Sequence, residues 1–148
     1  MATYNKFNSF VEYLMDKVMD LFGTPVGDTI KLMLTSVAPV ATNTVKGDLT
    51  EIAAGNGYTA GGETVTADGV RSTGTVTFRG DSVTWTAGPL AMASFQYIVL
   101  YDDTPSATPT DPLICWWNHG SAVVLNVGDT FTVKFNNTTP DGTIFTLA

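Results

Sequence analysis

From Val70 to the end of the chain the sequence falls into short runs, VRSTGTVTFRG, SVTWTA, FQYIVLYDD, LICWWNHG, AVVLNV, TFTVKFN and TIFTLA, each bounded by Gly, Pro, Asn or Asp. Runs this short leave no room for helices of three turns. Their β-branched and aromatic residues suit pleated, half-buried strands instead. Thr alone supplies about one residue in six. The pattern predicts a mainly β fold, an antiparallel β-sandwich of jelly-roll type over residues 70–148. No repeat of 20 to 50 residues is visible, which argues against a propeller or solenoid.

The N-terminal part has different periods. Phe7, Phe10, Val11, Leu14, Val18, Leu21 and Phe22 recur at spacings of three and four, predicting an amphipathic helix over residues 6–22 that Gly23, Thr24 and Pro25 stop. Glu12, Asp16 and Asp20 form a solvated stripe beside its apolar face. In TIKLMLT the period changes to two, with Ile30, Leu32 and Leu34 on one side, so a first strand is expected over residues 29–35. Residues 36–69 read as a long Gly-rich connection with one helical turn near Asp48 to Ala53, a length that signals a functional loop in a small domain. With 148 residues, the whole chain, 1–148, is expected to be a single domain.

Within that connection, EIAAGNGYTAGG invites comparison with a dinucleotide-binding loop. The third glycine of Gly55, Gly57 and Gly61 comes one place late for Gly-x-Gly-x-x-Gly, and no helical pattern follows. No Gly-Lys-Ser/Thr closes the stretch as a P-loop would. The glycines instead read as positions of positive φ and close backbone approach, with Tyr58 as an amphipathic anchor against a neighbour or the chain's own sheet.

Charge narrows the partners. The chain carries 14 acidic and 7 basic side chains, a formal net charge of -7, so direct nucleic-acid binding is not expected. Charged residues make up only 14% against 44% hydrophobic, which suits a surface partly covered by other protein. MATYNKFNSF lacks the basic segment and apolar run of a signal peptide, and no window approaches a membrane span. The expectation is synthesis in the cytoplasm and no membrane partner. Cys115 stands alone between Ile114 and Trp116 and reads as an inert core residue.

Reactive constellations are sparse. His119 is the sole histidine, and pairing it with Ser121 would place both in one turn with no orienting acid nearby. One Cys and one His do not make a structural zinc site. Asp102, Asp103, Asp111, Asp129 and Asp141 fall in expected loops without the spacing of a calcium loop and read as solvated carboxylates. Two of Asp102, Asp103 and Asp129 would be the carboxylates of a hydrolase reading, which is set aside with no catalytic, cofactor-binding or metal residue assigned. Arg79-Gly80-Asp81 reads as a hairpin tip, and Asn137-Thr138-Thr139 matches a glycosylation acceptor without any sign of secretion. Trp116 and Trp117 must point to opposite faces of a strand, so one fills the core and the other meets solvent, a partner or a ligand.

Four segments, MATYNKFNSFVEYL, IKLMLTSVAPVATNTVKGDLTEIAAGNGYTAGG, YIVLYDDT and WWNHGSAVVLNVGDTFTVKF, resemble a family of small structural proteins of tailed bacteriophages over nearly the whole length. The resemblance implies a virion component and, more narrowly, a capsid decoration (cement) protein on the capsid surface, with the major capsid protein and further copies of itself, as a trimer, for partners. It supplies no catalytic residues. The interface residues expected are Phe7, Phe10, Leu14 and Val18 on the helix, with Tyr58 and Trp117. The alternative expectation is a module at the tail tip or fibre that binds host glycan or receptor through Trp117, Tyr58 and loop carboxylates.

Overall fold

The computed structural model describes residues 2–21, 27–104, 109–135 and 141–148. It is mainly β, with antiparallel pairing and one short α-helix. In chain order the elements are β1 (Thr3–Lys6), α1 (Phe10–Met15), β2 (Ile30–Thr35), a turn of 3-10 helix (Lys46–Asp48), β3 (Glu63–Val65), β4 (Ala67–Ser72), β5 (Thr75–Asp81), β6 (Val83–Thr86), β7 (Phe95–Asp102), β8 (Leu113–Val123), β9 (Thr130–Val133) and β10 (Asp141–Leu147). The strand expected at 29–35 is therefore β2.

A five-stranded sheet runs in the order β1-β8-β7-β2-β3. Its middle strands are apolar on both faces because both faces are covered. On one side Ile30, Leu32, Leu34, Ile98 and Leu100 share a core with Phe78, Val83, Trp85 and Ile144 from the other sheets and Phe135 just after β9. On the other, Met33, Val99, Tyr101, Leu113 and Trp116 pack with Phe7 under Ala41 and Leu49 of the long connection. Trp116 and Trp117 do point to opposite faces, Trp116 into this second cluster and Trp117 against the first.

The remaining strands form β10-β5-β4 and β6-β9. Only Ser82 separates β5 from β6, and Asp81 pairs with Asp141 while Val83 pairs with Val133. Thus β10 and β9 pair with successive parts of an almost continuous β5–β6 ribbon. Between β3 and β4 stands only Thr66, so the chain steps there from the edge of the large sheet to the opposing layer. At the other edge, β1 and β8 look across at β9 and β10, and an open cleft lies between them.

The helix expected over residues 6–22 is corrected to Phe10–Met15. Lys6 belongs to β1, which pairs with β8 from Thr3 opposite Asn118 to Lys6 opposite Cys115. Further on, Lys17 takes a left-handed conformation, φ 57°. Its N–H donates to Leu14 O at 3.3 Å and that of Val18 to Tyr13 O at 2.9 Å, the paired bonds of a Schellman terminus with Lys where Gly is usual. The apolar period runs on because Met19 and Leu21 are buried in non-helical backbone. The stop expected at Gly23 to Pro25 lies outside the described residues, as do part of the Thr104 to Pro112 loop and the Asn137 acceptor.

Arg79-Gly80-Asp81 is not a hairpin tip but the end of β5; the tip of the β4–β5 hairpin is Thr73-Gly74. Gly80 is needed inside the strand because a Cβ there would lie 2.7 Å from Val65 Cγ1 and 3.0 Å from Ile144 Cδ1.

Since a left-handed L-residue costs about 1 kcal/mol that Gly avoids, partly offset by glycine's freedom in the unfolded chain, Lys17→Gly is expected to stabilise the protein by about 0.5 kcal/mol. Urea unfolding of the variant checks this, and a loss of stability would contradict the assigned helix terminus.

Candidate functional site

Three of the six expected interface residues are spent inside the molecule. Phe7 and Phe10 are fully buried, Phe7 stacked on Trp116 with ring centroids 4.4 Å apart and Phe10 edge-on to Phe145 at 5.2 Å. Tyr58 is buried too. These residues are corrected from interface to core, because Phe10 of the helix and Tyr58 of the long connection pack into the first cluster and Phe7, just before the helix, into the second. Leu14 and Val18 are half-buried, with Leu14 packed against the same core. Trp117 is half-buried and faces the open cleft.

The Gly-rich loop answers to backbone geometry. The paired register of β3 with β2 ends at Leu32, and the connection supplies partners for the rest of β2. Leu34 N donates to the Tyr58 hydroxyl at 3.1 Å, Ile52 N donates to Leu34 O at 3.1 Å, and Thr35 Oγ1 donates to Thr50 O at 2.6 Å. Tyr58 in turn donates to Glu51 Oε1 at 2.6 Å, which also accepts Gly61 N at 2.5 Å. The Tyr101 hydroxyl donates to Gly61 O at 2.8 Å, and Lys46 Nζ sits 5.0 Å from the Tyr101 ring centroid. Burial pushes both phenols far above the ordinary tyrosine range, so they remain neutral donors. Gly62, at φ +78°, brings its backbone so near β2 that a Cβ would stand 1.8 Å from Leu32 O.

A second polar cluster lies where β2 begins and β7 ends. Asp102 is fully buried; its Oδ1 accepts Thr104 N at 3.0 Å, while no N–H donor meets Oδ2. Burial, together with the neighbouring Asp28 carboxyl, raises the Asp102 pKa to about 7. Asp28 Oδ2 accepts Asp20 N at 2.5 Å, and Asp103 pairs with Lys31 at 2.6 Å. Asp129 stands apart from this cluster, accepting Asn126 N at 2.9 Å in a separate turn. His119 lies on β8 with Nδ1 3.2 Å from Ser121 O and its ring edge-on to Phe131 at 5.9 Å.

The open side of the molecule is the candidate site. A cleft of about 780 Å³ runs between Tyr4, Ile98 and Trp117 of the large sheet and Phe131, Phe135, Thr143 and Ile144 opposite, with His119 and Lys134 also in its lining. Trp117 meets Tyr4 edge-on at 5.9 Å and Phe135 at 5.7 Å. Its size falls within the usual range of ligand clefts, and its lining is mostly apolar with few polar groups. The described lining contains no Asp or Glu, against the overall charge of -7. Of these residues the sequence singled out Trp117 for an interface; Tyr4 stands in TYNK, which carries little hydrophobic signal.

No protein-family model, curated protein or solved structure matches this chain.

Two stability measurements follow. Gly62→Ala is expected to lose at least about 3 kcal/mol or fail to fold, whereas Gly47→Ala, which has nothing within 4 Å of the new Cβ, should change stability by less than about 0.5 kcal/mol. Urea titrations of both variants test the close approach of the loop to β2. For Asp102 the folded pKa lies above the unfolded one. Its burial therefore costs nothing well below the unfolded value of 3.8, where both states are protonated, grows unfavourable as pH rises above it, and reaches its full penalty once pH has risen through about 7. Asp102→Asn should gain on the order of 2 kcal/mol over the native chain between pH 4 and pH 8, and parallel pH profiles of the two would refute the assignment.

Proposed function

We propose that this chain is a structural protein of a tailed-bacteriophage virion, a capsid decoration protein that docks on the major capsid protein lattice and stabilises the head. On this reading the two layers form a jelly-roll-like β-sandwich, and the protein acts as a homo-oligomer, a trimer at local three-fold positions of the capsid surface.

The observation that carries the reading is an apolar tip built from two neighbouring connections. Leu90, Val124 and Val127 are 65%, 58% and 62% exposed. The connections are braced by Met92 N to Leu125 O at 3.0 Å, Gly128 N to Ala87 O at 2.8 Å and Ala87 N to Asp129 O at 2.9 Å. Such a tip needs no ordering on docking, so little conformational entropy opposes contact. At about 25 cal/mol per Å² of buried apolar surface, a modest patch repeated over a lattice adds up to substantial shell stability. The contact surface thus moves from the helix face, which the core uses, to the loop end of the molecule.

The test is the copy number of the chain in purified virions, measured by quantitative mass spectrometry against the major capsid protein. Hundreds of copies are expected; a handful would place the chain at the tail or portal vertex and overturn the decoration role. Leu90→Asp with Val127→Asp should leave the circular dichroism spectrum and urea midpoint unchanged while lowering incorporation at least tenfold. Full incorporation of that variant would remove the tip from the interface.

A further inference from the structure

The cleft is flanked by strand edges that nothing among the described residues covers. β1 is the terminal strand of the large sheet, and β9 and β10 are terminal in theirs. The register of β1 decides which of its backbone groups are free. Residues Thr3 to Lys6 pair with β8 in an unbroken antiparallel register, and Phe7 N continues it by donating to Ile114 O at 3.3 Å. In an antiparallel ladder the bonded residues alternate, so Thr3, Asn5 and Phe7 turn their N–H and C=O toward β8. Those of Tyr4 and Lys6 consequently point away from the sheet. Both residues are exposed, and their outward N–H and C=O meet no partner among the described residues.

Tyr4 has a second role, because its side chain is also part of the cleft wall, edge-on to Trp117. A strand added beside β1 would take hydrogen bonds from Tyr4 and Lys6 and send every second side chain toward Phe135 and Lys134 across the cleft. We propose that this edge and cleft together bind an extended peptide segment of a partner protein by strand addition, with apolar residues alternating with acidic or polar ones. Three observations choose this occupant. The free donors and acceptors follow a strand's spacing, the wall is aromatic where alternate side chains enter, and the cations at hand are unpaired by carboxylates. Lys134 has no ion-pair partner and the cleft lining no acidic residue among the described residues, although the chain as a whole is strongly acidic. Acidic residues in the incoming segment complement this local charge. The inference does not depend on the virion reading, since it names only the chemistry of the segment.

The experiment is a titration of the isotope-labelled full chain with synthetic ten-residue peptides in which Phe, Val or Leu alternates with Asp or Thr, followed by backbone amide shifts. Shifts should concentrate at Tyr4, Lys6, Trp117 and Lys134. Binding should weaken at least tenfold when alternate peptide amides are N-methylated, when Lys replaces Asp in the peptide, or when the protein carries Lys134→Glu. Lys6→Pro removes one outward N–H while leaving the bonded positions of β1 intact, and should weaken binding to a similar degree. Equal binding of methylated and unmethylated peptides would overturn strand addition. Absence of shifts at β1 up to millimolar peptide would overturn the proposal altogether, and shifts produced only by an acidic oligosaccharide such as trigalacturonate would make the cleft a saccharide site.

Discussion

The Tyr58 hydroxyl stands where a strand partner would. Leu34 N donates to it at 3.1 Å just beyond the end of the β2–β3 pairing, and the hydroxyl itself donates to Glu51 Oε1 at 2.6 Å. Without that oxygen a buried N–H in a central strand would go unmet, at a penalty of about 1–3 kcal/mol. Because the phenol holds the loop at this point, Ile52 and Thr50 reach the same edge and Gly62 can pass against Leu32. The loop then lays Ala41 and Leu49 over Met33, Val99, Tyr101 and Trp116. A stretch long enough to suggest a functional loop is therefore the cover of the sheet's second face. Both faces of β2 and β7 can be apolar only because that cover is fixed in place.

The same economy of strands explains where the molecule stays open. The chain closes one side of the two layers by passing from β3 through Thr66 into β4. Elsewhere β10 pairs with β5 and β9 with β6, one on each side of the break at Ser82. Phe135 packs so closely on β10 that a Cβ at Gly142 would lie 1.5 Å from Phe135 O. The seam beside β1 and β8 is bounded by aromatic rings, and no strand among the described residues fills it. The cleft is a consequence of topology, and the aromatic residues are what keep its walls packed.

Much of this was legible in residue patterns, and the failures have identifiable causes. β2, most of the short β-like runs and the opposed faces of Trp116 and Trp117 follow from a period of two, which survives because burial selects side chains face by face, whereas the run AVVLNV is split between the end of β8 at Val123 and a connection. The helix was overextended because spacings of three and four continue through Met19 and Leu21, which are buried without being helical, while Lys17 conceals the left-handed terminus that Gly would have advertised. β1 was missed because four polar or aromatic residues at an edge carry little hydrophobic signal; their register comes from β8. Gly80 looked like a turn because a strand glycine required by side chains from other elements cannot be told from a turn glycine locally. For the site, Trp117 stood out by type, but Tyr4, Phe131 and Phe135 come together only through the pairing of distant strands.

The tip and the cleft are joined by β9. Its first residue follows Asp129, whose carbonyl braces the tip through Ala87, and Phe131 through Val133 line the cleft. Four residues at about 3.3 Å each put the two surfaces roughly 10–13 Å apart along one strand. That strand is held in register with β6, whose Trp85 is buried in the core, so the spacing is set by the fold and not by the partner. A partner that touches both surfaces has its second contact prepaid by the first, since rigid spacing raises the effective concentration of one contact once the other is made. The aliphatic tip gains affinity from buried area with little directional demand, whereas the β1 edge demands a particular backbone register. Tight holding and exact placement can therefore come from different parts of the same surface.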